Sequence, residues 1–238
     1  MFSIIVPFYN ESKNIKLVLE EFKKFQGKYD FELICVNDGS KDDTETVLNE
    51  HKNSGHYPFM EFISYYPNGG YGNAIMTGVR TAKGEVIAWT HSDMQTPVSD
   101  VFKAYDYYCS LATSYPLQAT RFLIKGWRVN RTLQQVILSF GMAIIASVIL
   151  RRKLTEINAQ PKLFPRSMVD LLKNAPKDFS LDLYLLCIAQ NNNYKIKTID
   201  VSFKNRIHGE SSWASDWRTK HKTILRSIKY ICKLRKEV

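Results

Sequence analysis

The chain has 238 residues, 45% of them hydrophobic, which suffices for one large domain with a full core and excludes a disordered chain. Its 33 Lys and Arg against 23 Asp and Glu give a net charge of +10, which points to an anionic partner: phosphates, nucleic acid or an acidic membrane surface. Cys35, Cys109, Cys187 and Cys232 are widely spaced and form no CxxC or Cys/His cluster, which argues against zinc and for free thiols in a reducing compartment.

Met1 leads straight into Phe2-Ser3-Ile4-Ile5-Val6 without a basic region or a cleavage site, so no signal peptide is expected. Phe2–Pro7 reads as a strand. Ile15, Val18, Leu19, Phe22 and Phe25 then recur at helical spacing, predicting a helix over Ser12–Phe25 with Ser12 as its N-cap. Strands over Phe31–Asn37, Phe59–Tyr65 and Glu85–Thr90 alternate with helices over Asp42–Asn53 and Asn73–Ala82, the latter opened by a Gly-rich turn. That alternation predicts βαβ units: an α/β fold, mostly parallel, with helices on both faces of a central sheet.

The second half is less regular. Helices are expected over Val98–Ser110, Arg128–Leu150 (broken near Gly141), Ser167–Lys173 and Ser180–Asn191, and strands over Leu117–Phe122 and Lys195–Phe203. Val136–Leu150 is an apolar run of 15 residues, short for a bilayer span of about 20, which leaves a buried helix and an interfacial one as open readings. From Tyr107 to Thr155 there is no acidic residue, while Arg121, Lys125, Arg128, Arg131, Arg151, Arg152 and Lys153 fall inside. Trp213–Lys236 sets apolar residues among many cations, a basic amphipathic helix at a membrane or docked on the domain. Residues 1–212 and 213–238 are accordingly read as one α/β domain and a basic C-terminal helix.

Chemistry-bearing residues cluster where strands end. Pro7-Phe8-Tyr9-Asn10-Glu11 follows the first strand and Asn37-Asp38-Gly39-Ser40 the second. His91-Ser92-Asp93-Met94-Gln95-Thr96-Pro97 follows the fourth. Ligands of open parallel sheets sit at the carboxyl ends of strands, and oxygen donors such as Asp93 and Gln95 suit a hard cation, Mg2+ or Mn2+.

Together these motifs resemble the inverting nucleotide-sugar glycosyltransferases of family 2, with the GT-A fold, and in particular the dolichol-phosphate and polyprenyl-phosphate sugar transferases. The resemblance covers roughly residues 2–212. It implies that Pro7, Phe8, Glu11 and Asp38 line the base and ribose pocket, and that the turn Asn68–Ala74, with Gly72 and Ala74, lies against the nucleotide. Asp93 and Gln95 match the metal ligands of that branch, whereas His91 stands where the branch has a carboxylate, within reach of ribose or phosphate. Arg121 and Arg131, with Lys125 between them, are assigned to the acceptor phosphate. Arg206, in the Arg-x-x-Gly-x-Ser pattern completed by Gly209 and Ser211, is assigned to the leaving diphosphate, with Ser212 in place of a lysine.

The implied reaction is displacement at the anomeric carbon of a UDP- or GDP-sugar by a polyprenyl (undecaprenyl or dolichyl) phosphate, with inversion. Asp93 and Arg206 carry the chemistry, and no general base is needed because the acceptor is already an anion. Two alternatives stay open. A glycan-elongating transferase of polysaccharide biosynthesis would use Asp182 as base, and a non-catalytic nucleotide-sugar or lipid-binding protein would explain His91 and Ser212. No nucleic-acid-binding motif appears. The expected location is cytoplasmic, peripheral on the inner membrane face or attached to a membrane subunit.

Overall fold

A computed structural model describes residues 1–115, 121–207 and 217–237, and the side chains of all of these except 134, 138, 217–223 and 237. In chain order the elements are β1 (Phe2–Phe8), α1 (Ile15–Lys23), β2 (Phe31–Asp38), α2 (Thr44–Asn53), β3 (Met60–Tyr65), α3 (Tyr71–Thr81) and β4 (Val86–Trp89). There follow α4 (Ser99–Ser114), β5 (Phe122–Val129), α5 (Leu133–Leu150), β6 (Lys162–Pro165), α6 (Leu181–Asn191), β7 (Lys195–Ser202) and α7 (Trp217–Glu237).

The strands form one seven-stranded sheet in the order β3-β2-β1-β4-β6-β5-β7. β6 alone runs against its neighbours, so the carboxyl ends of the other strands share one edge. The strands carry apolar residues on both faces, as a doubly covered sheet requires. Ile4, Val6, Leu33 and Cys35 pack with Phe22 and Phe102 on one face. Ile5, Ile34, Val36, Ile87 and Trp89 pack with α3 and α6 residues such as Ile75 and Leu185 on the other.

The first half follows the sequence expectations closely. Ser12 is an exception: it opens a 3-10 turn, Ser12–Asn14, and makes no side-chain cap. Its backbone N–H donates to Asp42 Oδ2 at 3.2 Å, so that carboxylate does the work expected of a cap.

The second half departs more. The strand expected over Leu117–Phe122 lies later, at Phe122–Val129, and residues 116–120 lie outside the described residues. β5 pairs with β7 along its whole length, and that pairing holds Arg128 and Val129 in the sheet instead of in the long helix expected there. α5 starts only at Leu133, after a capping box in which Thr132 and Gln135 satisfy each other's backbone N–H groups. It runs unbroken through Gly141. Ser167–Lys173 was expected as α-helix; Arg166–Leu172 is 3-10. β6 was not anticipated, because four buried residues show no periodicity.

α5 is docked by its small residues. Ala143, Ala146 and Leu150 are buried, whereas Leu133, Ile137, Phe140, Ile144 and Val148 form an exposed stripe at helical spacing. α7 packs beside it and buries Ile231 and Leu234. The boundary drawn at 212, together with Gly209, Ser211 and Ser212, lies outside the described residues.

Candidate active site

The loops leaving β1 and β2 are stitched to each other. Asn10 N–H donates to Ser40 Oγ (3.0 Å), Lys41 N–H to Asn10 Oδ1 (2.8 Å) and Glu11 N–H to Thr44 Oγ1 (2.9 Å). Burial pushes the Asp42 carboxyl up, but hydrogen bonds from Thr44 and Ser12 outweigh it and hold it below its usual range.

Asp38 is a hub. Its carboxylate accepts from Tyr65 Oη (2.7 Å), Asn68 Nδ2 (3.0 Å), Gly69 N (2.7 Å) and Gly70 N (3.0 Å), which clamps the Gly-rich turn ahead of α3. Gly70 needs its positive φ of 94° for this. Gly72 is also required for packing within the chain: a Cβ there would lie 2.2 Å from the Pro176 carbonyl. Ala74 and Phe8 are fully buried in the two cores, whereas Pro7 and Glu11 are half-buried.

The polar corner forms where the segment after β7 crosses the loop after β4. Lys204 N–H donates to the Gln95 carbonyl (2.9 Å), and Gln95 Nε2 donates to the Lys204 carbonyl (3.1 Å). That brace brings Arg206 over the loop, with Nη2 3.0 Å from Asp93 Oδ2 and Nη1 3.7 Å from Glu11 Oε1. Asp93 Oδ1 accepts from Gln95 N (3.1 Å). Burial raises the Glu11 carboxyl above its usual range, against hydrogen bonding from Asn14 and the charge of Arg206. His91 sits against the Tyr71 ring, which also stacks on Phe179. Burial holds the His91 imidazole below its usual range despite the pull of Asp93.

Beneath this corner Trp89 Nε1 donates to Asp182 Oδ1 (3.2 Å), Gln160 Nε2 donates to both Asp182 oxygens, and Lys162 Nζ pairs with Asp182 at 3.3 Å. Asp182 was weighed as a general base. The structure corrects this: the carboxylate is 2% exposed and neutralises a fully buried lysine.

Four cations of the acid-free segment lie in or beside β5: Arg121 before it, Lys125 and Arg128 within it and Arg131 after it. Leu163 of β6 pairs with both Ala88 and Ile124, so Arg121 is level with Glu85, at the amino end of the strands. That puts it five residues, or about 17 Å, short of the site edge, and Arg121 does not join Arg131. Lys125 is buried and donates to the carbonyls of Thr155 and Glu156; burial, with Lys162 nearby, pushes it down to about 7. Only Arg131 of the three expected phosphate ligands is at the edge. There it joins Arg128, which the sequence analysis counts among the cations of the acid-free segment without assigning it to the phosphate. Arg128 Nε contacts Glu156 Oε2 at 2.8 Å, Arg131 Nη2 contacts Glu156 Oε1, and Arg131 Nη1 donates to Ser139 Oγ at 2.6 Å. Burial pushes Glu156 up, but Arg128 and Arg131 outweigh it and hold the carboxyl below its usual range. Glu156 is the first acid after the acid-free stretch, the one sequence signal that could have found it.

The sequence model described as Glycosyl transferase family 2 matches residues 3–170. The chain belongs to glycosyl transferase family 2. It is 28% identical over 220 residues to a dolichyl-phosphate beta-glucosyltransferase of Trichomonas vaginalis, covering 87% of this chain and 66% of that protein. It is 36% identical over 111 residues to the putative glycosyltransferase CsbB of Bacillus subtilis, covering 44% of this chain and 33% of that one. The chain thus spans less than two thirds of the length of these relatives.

Among solved structures, glucosyl-3-phosphoglycerate synthase from Mycobacterium tuberculosis, in complex with Mn2+, UDP-glucose and phosphoglyceric acid, superposes with a TM-score of 0.65 at 15% identity. That match covers 99% of this chain and 79% of that one. The mannosyltransferase PcManGT from Pyrobaculum calidifontis, in complex with GDP-Man and Mn2+, gives 0.62 at 17% identity, covering 97% and 69%. At these identities the likeness shows the fold, which is GT-A.

A divalent ion of the kind those two structures hold is compatible with the family 2 corner seen here. Among the described residues no three His, Cys, Asp or Glu converge as a closed cage. Hard ions at phosphate sites commonly take one or two carboxylates and complete their shell with substrate oxygens and water. Asp93 offers one carboxylate with a cation, the Arg206 guanidinium, already set against it. His91 in place of a second carboxylate lowers the charge available to such an ion.

Proposed function

We propose that the chain transfers a sugar from a UDP- or GDP-sugar to a polyprenyl phosphate, inverting the anomeric carbon. The observation that carries this reading is the presence of two arginine-bearing corners on one sheet edge: Arg206 set against Asp93 and Glu11, where the loops after β1, β4 and β7 meet, and Arg128 with Arg131 after β5. One suits a diphosphate and the other a phosphate acceptor, because guanidinium forks bind phosphate oxygens bidentately. The dolichyl-phosphate beta-glucosyltransferase relative supports the same acceptor class.

An acceptor phosphate oxygen forms the new bond to the anomeric carbon while the bond from that carbon to the β-phosphate oxygen breaks. The electron pair leaves on the nucleoside diphosphate, and Arg206 stabilises the charge that builds there. Mg2+ or Mn2+ held by Asp93 and Gln95 would supply further charge neutralisation at the same oxygens. No base is needed, since the phosphate acceptor is ionised, and the burial of Asp182 under Lys162 supports that economy. The test is transfer of labelled sugar from UDP- or GDP-sugars by protein mixed with membranes and Mg2+ or Mn2+. An organic-extractable, acid-labile product is expected. Label confined to a water-soluble glycan, or nucleotide binding without turnover, refutes the reading.

With that acceptor class we infer a location at the cytoplasmic membrane surface and a role in making cell-envelope polysaccharide. Among the described residues no helix is long and apolar enough to cross a membrane. The exposed α5 stripe, with Arg151 and Lys153 at its end and Lys229 and Lys233 on the neighbouring α7, supports peripheral contact with anionic lipid. Phe140→Glu with Ile144→Glu is expected to lower co-sedimentation with phosphatidylglycerol-containing vesicles at least several-fold, at roughly 1.5–3 kcal/mol per large apolar side chain. Unchanged sedimentation would rule out α5 as the contact.

A further inference from the structure

The arginine pair is already filled by the chain's own carboxylate. Glu156 sends one oxygen to Arg128 and the other to Arg131, as two oxygens of a phosphate would be shared between two guanidinium groups. Its backbone sits at φ 45°, a left-handed conformation that costs a non-glycine residue of order 1–3 kcal/mol. The chain tolerates that cost to place the carboxylate there.

The match is also incomplete. Two guanidinium charges face one carboxylate charge, which leaves an excess positive charge in a site where Arg131 is 7% and Arg128 14% exposed. Arg131 Nε is buried and has no hydrogen-bond partner. A phosphate monoester carries up to two charges and three acceptor oxygens, so it answers both deficits where a carboxylate answers neither. Asn130, at φ 59°, turns the chain between the two arginines, and the exposed α5 stripe begins at Leu133, directly beyond. An anion seated here has an apolar surface beside it for a hydrocarbon tail.

The geometry points to Glu156 as a displaceable internal ligand: its carboxylate occupies the acceptor-phosphate position between Arg128 and Arg131 and leaves it when a phosphate monoester binds. This rests on the phosphate-acceptor reading and adds to it a residue that sets acceptor affinity. Glu156 is a positioning residue. It keeps two buried arginines folded in the absence of acceptor and excludes anions that carry a single charge.

The test uses the full chain with Glu156→Gln and Glu156→Asp, and farnesyl phosphate, farnesol and inorganic phosphate as probes in calorimetric titration and thermal unfolding. Glu156→Gln should bind farnesyl phosphate about tenfold more tightly than the native protein, a change of about 1.4 kcal/mol. Its unfolding temperature should fall without ligand and recover with phosphate, though not with chloride at equal ionic strength. Glu156→Asp keeps the charge but retracts it, and should show a smaller gain; it decides the matter if the glutamine variant does not fold. Adding Arg131→Ala should erase the gain. No tightening in either variant, or equal rescue by chloride, overturns the inference even where sugar transfer to lipid is intact. Tightening for inorganic phosphate and farnesyl phosphate alike, without transfer to lipid, upholds the internal ligand and overturns the polyprenyl reading.

Discussion

Asp182→Ala should destabilise the protein by about 3–5 kcal/mol, the cost of leaving one member of a buried ion pair without its partner. Lys162 is fully buried, and its ammonium has two neighbours: the Ala159 carbonyl at 2.7 Å and Asp182 at 3.3 Å. The same carboxylate accepts from Trp89 Nε1 and from the Gln160 amide, so its loss strands a charge, an indole N–H and an amide together. Burial already pulls Lys162 below its usual range, with Asp182 opposing that pull. Urea denaturation measures the effect. The double variant Asp182→Leu with Lys162→Met removes both charges and should cost less than the single change. A loss under about 1 kcal/mol for Asp182→Ala would mean that the lysine finds another counter-charge, and the assignment of Asp182 as a purely structural carboxylate would fail.

Arg206→Ala should reduce kcat/KM for the nucleotide-sugar by about a hundred- to a thousandfold, the usual loss on removing a group aimed at developing negative charge. Arg206 reaches Asp93 and Glu11 from a segment held by two backbone-directed hydrogen bonds between Lys204 and Gln95. Its removal leaves two carboxylates facing each other across the corner, so donor affinity should fall along with turnover. Arg206→Lys should recover only part of the activity, because an ammonium cannot fork to two acceptors as a guanidinium does. Steady-state kinetics with varied donor separates the two losses. A variant with native kcat/KM would place the leaving diphosphate elsewhere.

Local pattern accounted for much of this protein. β1 to β4 and α1 to α4 were legible because each is a run of β-branched residues or a 3.6-residue stripe, and such signals need no knowledge of distant partners. The strand-end residues Glu11, Asp38 and Asp93 were legible for the same reason: a parallel strand must end in a polar loop at one edge. Arg206, which joins Glu11 and Asp93, was legible too; which cations gather after β5 was not. Arg121, Lys125 and Arg131 lie close together in sequence, but each residue along a strand advances about 3.3 Å, and the register that decides which end faces the site is set by β6. β6 has four residues and no periodic signal, so its pairing exists only in the assembled sheet. Asp182 likewise looks like any acid near a helix start until Lys162 arrives from another element to be neutralised. Composition and short-range periodicity determined the α/β class, the order of the elements through α4 and the polar strand-end edge that carries Glu11, Asp38 and Asp93. The tertiary structure decided the rest: which arginines meet after β5, and that a glutamate lies between them, because charge pairing across strands depends on register and burial that no local stretch encodes.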